Sequence, residues 1–93
     1  MSIPKTALTV GAYYSTNNYQ LRKIVEMPVD AKGVIRVRYV NKSIRLSGKS
    51  FEFAEGVLSN PIVSDTFANT CDKVLDESDL QHLKDKNILL AGE

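Results

Sequence analysis

From Val34 to Lys42 the chain alternates with period two: Ile35, Val37 and Tyr39 fall on one face, Val34, Arg36, Arg38, Val40 and Lys42 on the other. That period belongs to a strand with unequal faces, so residues 33–42 are read as the central strand of a small sheet, one face toward the core and one carrying charge. Upstream, Leu8, Val10, Ala12 and Tyr14 alternate with Thr9, Gly11 and Tyr13 and predict a first strand. Ser15 to Asn18 form a polar turn cluster. A second strand is expected from Tyr19 to about Met27, with Tyr19, Leu21, Val25 and Met27 inward and Lys23 interrupting that face at a bulge or rim. Pro28 ends it, and Asp30-Ala31-Lys32-Gly33 suits a type I turn with glycine in the left-handed position, which predicts an antiparallel hairpin. Ile44 with Leu46, then Phe51 with Phe53 beyond a Ser47-Gly48 turn, complete five expected strands by residue 54.

The pattern changes at Gly56. Pro61 breaks the chain, Ser64 is a candidate helix cap with Asp65 in the first turn, and Phe67, Cys71, Val74 and Leu75 fall on one helical face. Ser78 with Gln81 predicts a capping box for a second helix bearing Leu80 and Leu83 inward and Lys84 and Lys86 in its last turn. Ile88, Leu89 and Leu90 are apolar enough to dock on the domain, in a conformation the pattern leaves open. The expected fold is mainly β, of the α+β class: a five-stranded SH3-like barrel or curled antiparallel sheet over residues 8–54, then one or two C-terminal helices over 62–87, in a single domain spanning 1–93.

A chain of 93 residues, 43% hydrophobic and 25% charged, is the size of one globular core with little room for a deep pocket. No apolar run approaches the ~20 residues that span a bilayer, and no basic-then-apolar leader opens the sequence, so a cytoplasmic location without membrane contact is expected. The single cysteine, Cys71, has no partner for an internal disulfide, and with one histidine, His82, a metal site or other cofactor is not expected. The net charge of +1 conceals a segregation: the first fifty residues hold nine Lys and Arg against two acids, the remainder three Lys against nine acids.

The meander with Tyr13 and Tyr14 at the end of its first strand, a polar loop and a hairpin closed by Asp30 to Gly33 resembles the SH3-like and Tudor-like small barrels over roughly residues 8–54. Without tryptophan the chain lacks the aromatic with which SH3 domains grip proline-rich ligands. The Tyr-rich start, the Arg-Lys-Ile-Val-Glu-Met strand and the Phe-Glu-Phe-Ala strand before a helix also look like the short proteins carried on bacterial integron gene cassettes. That resemblance implies a bacterial cytoplasmic origin and no particular function.

The basic cluster is the leading candidate site. Arg36, Arg38 and Lys42 share a strand face, Arg22 is expected on a comparable face of the neighbouring strand, and Arg45 and Lys49 follow. Such a face suits a phosphate backbone, with Tyr13, Tyr19 or Tyr39 offering rings to bases. The expected function is a non-catalytic binding module whose ligand is nucleic acid or another polyanion. The alternative is a protein-interaction module, homodimeric or with another partner, that uses the acidic and apolar C-terminal helices while they neutralise the basic face. An aromatic cage for a cationic side chain competes with Tyr14 and Tyr39 serving as core. Enzymatic signals are slight: His82 beside Asp85, Cys71 on an apolar stripe, and Glu52 and Glu55 flanking Phe53.

Overall fold

A computed structural model describes residues 3–53 and 62–90 of the chain. Ala54, Glu55, Gly56 and Pro61, all used in the expectations above, lie outside the described residues. A 3-10 turn at Lys5–Ala7 leads to strands β1 (Tyr13–Thr16), β2 (Gln20–Glu26), β3 (Arg36–Ser43), β4 (Glu52–Phe53) and β5 (Ile62–Val63). Helix α1 (Ser64–Thr70), strand β6 (Cys71–Val74) and helix α2 (Glu77–Asp85) follow. The protein is mainly antiparallel sheet with two short helices, an α+β fold.

The sheet runs β4-β3-β2-β1-β6, with β5 on the same side of β3 as β4. It is curled and stays open. Its centre is the β2–β3 hairpin, in register from Gln20 opposite Ser43 to Ile24 opposite Tyr39, with a shift before Glu26 opposite Arg38. The expected turn closes it: the Gly33 N–H donates to the Asp30 carbonyl at 3.0 Å, and Gly33 takes φ +79°, a conformation glycine adopts without strain.

Both faces of the sheet are covered, and this explains several departures from a one-sided reading. On the inner face Tyr14, Ile24, Val37, Tyr39, Cys71 and Leu8 surround Phe67 and Ala68 of α1. On the outer face Leu21 meets Leu83, Ile88 and Leu89, with Tyr13, Ile44, Phe51, Leu75 and Leu80 around them. In β2 therefore Leu21 and Ile24 are both buried, on opposite faces, while Val25 at the register shift is exposed. Tyr19, expected inward, stands at the β1–β2 turn with φ +59° and its ring half-exposed.

The first strand starts at Tyr13 rather than Leu8. Gly11 at φ +86° breaks the extended run, and the Tyr14 hydroxyl organises the preceding segment instead, accepting from the Thr9 N–H at 2.8 Å and donating to the Ala7 carbonyl at 3.1 Å. Leu8 is buried all the same. The expected fourth strand at Ile44 to Leu46 is a turn, with Leu46 exposed.

Helix α1 is shorter than its apolar spacing suggested. Asn69, Thr70 and Cys71 are weak helix formers, the Thr70 hydroxyl donates back to the Phe67 carbonyl at 2.8 Å, and Cys71–Val74 pairs with β1 as an edge strand. Ser64 is the first helical residue and Val63 stands at the cap, without a side-chain bond. At α2 the reciprocal cap is Asp76 with Asp79, at 2.9 and 3.2 Å, rather than Ser78 with Gln81. Lys73 of β6 pairs with Asp79 at 2.8 Å and ties that cap to the sheet.

Acid sensitivity is built into the hairpin. Asp30 accepts from the Lys32 and Val34 N–H groups at 2.8 and 3.0 Å and from Arg36 Nε at 3.0 Å; the Val34 bond first, then Arg36, hold its carboxyl below the usual range. A carboxylate with a depressed folded-state pKa adds stability above its unfolded pKa, and that contribution is lost as pH falls below about 4. Denaturant titrations across this range should show Asp30→Asn less stable than the parent at neutral pH and converging with it in acid. Parallel curves would remove Asp30 from the acid response.

Candidate polyanion-binding rim

The structure divides the expected basic face into parts that do different things. Arg22 is on the inner face, opposite Arg36, Arg38 and Lys42, because its cross-strand partners are Tyr14 and Asn41. Its guanidinium lies 4.8 Å from the Tyr39 ring centroid and 5.7 Å from that of Phe67, and donates to Thr70 Oγ1 at 2.6 Å. The expected placement of Arg22 beside the other basic residues is therefore corrected: it ties α1 to the sheet.

Arg36, Arg38 and Lys42 do share the outer face, as the alternation predicts. Arg36 binds Asp30, and Arg38 Nη1 binds Glu26 at 2.9 Å, so each has a carboxylate alongside. Lys42 is buried, its ammonium donating to the Lys49 carbonyl at 3.0 Å and lying 4.6 Å from the Phe51 ring centroid. It acts as a strut beneath the loop that follows β3. Tyr13 packs on Phe51 with ring centroids 6.2 Å apart.

A different set of cations gathers at the end of the molecule where that loop meets the end of α2. Helix α2 stops in a Schellman arrangement: Asn87 takes φ +59°, its N–H donates to the Lys84 carbonyl, and the Ile88 N–H donates to the Leu83 carbonyl. Ile88 then packs on Leu83. The turn presents the Asn87 carbonyl to the Gly48 N–H at 2.8 Å, fastening residues 45–50 beside residues 84–87. Arg45, Lys49, Lys84 and Lys86 are all exposed there. Among the described residues only Lys49 of these four has a carboxylate within ion-pair range, Glu52 at 3.9 Å. Asp85 accepts from Gln81 Nε2 instead.

The same rim carries an aromatic platform. The Ile44 N–H donates to the Tyr19 carbonyl at 2.9 Å, and the Arg45 guanidinium lies 3.9 Å from the Tyr19 ring centroid, a stacked cation–π pair in solvent. Sequence reasoning named Tyr19 and Arg45. It missed Lys84 and Lys86, whose place in the last turn of a helix explains them locally by the helix dipole and gives no sign of the neighbour across the Gly48–Asn87 bond.

Cys71 is fully buried on the inner face, and burial pushes its thiol up to about 11. His82 is exposed on α2, and the Asp85 carboxylate it was expected to meet is held by Gln81. No helix among the described residues is long and apolar enough to cross a membrane. No protein-family model matches the chain, and neither does any curated protein or solved structure.

Proposed function

We propose that the protein is a small non-catalytic binding module for a polyanion, most simply single-stranded nucleic acid, and that the ligand lies along the rim formed by residues 45–50 and 84–87. The observation that carries the reading is the Gly48–Asn87 hydrogen bond, which joins Arg45, Lys49, Lys84 and Lys86 into one exposed cationic edge beside Tyr19. Lysine and arginine at such an edge bind phosphates as released counterions bind, without reading sequence. An exposed tyrosine adds a surface on which one unpaired base stacks, which favours a single strand over a duplex.

The homodimeric or protein-interaction alternative draws less support. The apolar residues of the C-terminal segment that it would use, Leu80, Leu83, Ile88 and Leu89, pack on the chain's own sheet.

Fluorescence anisotropy of labelled oligonucleotides tests the proposal. With three to four phosphates neutralised, affinity for single strands should fall roughly 20- to 50-fold between about 50 and 200 mM salt, with duplex binding weaker at each concentration. Absence of binding at the low salt would overturn it.

A further inference from the structure

Helix α2 and residues 86–90 cover the outer face only at the end that holds Leu21 and Lys42. At the opposite end a cleft of about 430 Å³ opens on that face, lined among the described residues by Val10, Gly11, Lys23, Val25, Val40 and Phe51 beside the Ile24 backbone. Its walls are mostly apolar, and Val10 and Val25 are 55% and 42% exposed. Its backbone edge is already hydrogen-bonded, the Gly11 N–H donating to the Ile24 carbonyl at 2.9 Å and the Ile24 N–H to the Ala12 carbonyl at 3.3 Å. A ligand here therefore meets side chains.

Lys23 is the one ionisable group among these lining residues. Its ammonium is 5.4 Å from the Tyr13 ring centroid and has no carboxylate partner among the described residues, and the residue as a whole is half-buried. Glu26 on the same strand is engaged by Arg38, and Glu52 of β4 by Lys49. A cation without a carboxylate partner beside valine and phenylalanine side chains is complemented by one negative charge on an apolar body; a multiply charged phosphate would leave charge unmatched against those side chains. The volume is that of a small-molecule site.

We propose that this cleft binds a small amphiphilic monoanion, an aryl or alkyl carboxylate, with its carboxylate on Lys23 Nζ and its apolar body against Val10, Val25, Val40 and Phe51. The site is separate from the rim: none of its lining residues belongs to the 45–50 or 84–87 segments.

Titration of the full chain with 2-naphthylacetate, followed by amide NMR shifts, tests the proposal, with neutral 2-naphthylacetamide as the control. Saturable shifts are expected at Val10, Gly11, Lys23 to Val25, Val40 and Phe51, with a Kd of about 0.1–1 mM, the range a ligand of this size reaches at ordinary ligand efficiency. The amide should bind roughly tenfold more weakly, the worth of one charge-assisted hydrogen bond. Lys23→Gln should erase the preference for the acid and Lys23→Arg should keep it, with the free spectra of both overlaying the parent away from position 23 and oligonucleotide binding unchanged. Shifts that fail to saturate or that spread over other surfaces, equal affinity for acid and amide, or an undiminished acid preference in Lys23→Gln would each overturn it.

Discussion

Replacing Phe67 with alanine is expected to remove about 3–5 kcal/mol of stability, the range for an aromatic side chain excised from a packed core. Phe67 is fully buried and meets Tyr14 edge-on at 5.5 Å and Tyr39 at 4.9 Å between ring centroids. The Arg22 guanidinium rests against the same ring, so the substitution also removes part of that cation's platform. Helix α1 has seven residues, too few to persist without tertiary packing, and Phe67 is its largest buried side chain. In a chain of this size each kcal/mol moves Tm by roughly 4–8 °C, so a fall of at least about 12 °C is predicted in calorimetry. Phe53→Ala is the control, because Phe53 pairs with Val40 at the sheet edge and is half-exposed; it should cost about 1 kcal/mol or less. Equal losses in the two variants would contradict the packing described.

The hairpin was legible because its signals are local. Pro28, Asp30 and Gly33 specify the turn through their own backbone preferences, and the alternation through Val37, Tyr39 and Lys42 fixes which residues share a face. The phase of β2 was not legible, since Leu21 and Ile24 are each buried against a different helix, and a two-sided sheet breaks the rule that one parity points inward. The fate of Cys71–Val74 depended on the free edge of β1, a long-range partner that spacing alone does not reveal.

The candidate site divides along the same line. That Arg36, Arg38 and Lys42 lie on one face followed from period two; that Asp30 and Glu26 sit alongside the arginines, and that the Lys42 ammonium is capped by the Lys49 carbonyl, follows from how the hairpin and the next loop fold back. The charge segregation between the two halves of the sequence also misled in part. The basic last turn of α2 belongs to the acidic half, yet the Gly48–Asn87 bond sets it beside the basic loop.

On the proposed reading the polyanion binds at the rim and the strand-face arginines are structural, and two double variants separate those roles. In Arg45→Ala/Lys86→Ala two of four exposed cations are removed. With a slope of about 0.7 per phosphate on single strands, each contact near 50 mM salt is worth about 0.9 of a decade, so affinity should fall roughly 60- to 70-fold and the salt slope by about half. In Arg36→Ala/Arg38→Ala the cations removed already stand against Asp30 and Glu26, and the change in net charge is screened beyond the ~14 Å Debye length of about 50 mM salt. Its affinity should stay within about threefold of the parent, at a cost in stability. The measurement to make first is the dissociation constant of both variants, checked to be folded, for one labelled single strand at the low salt. A loss confined to the Arg45/Lys86 variant is the predicted result; a loss confined to the Arg36/Arg38 variant would contradict the account and return the site to the strand face.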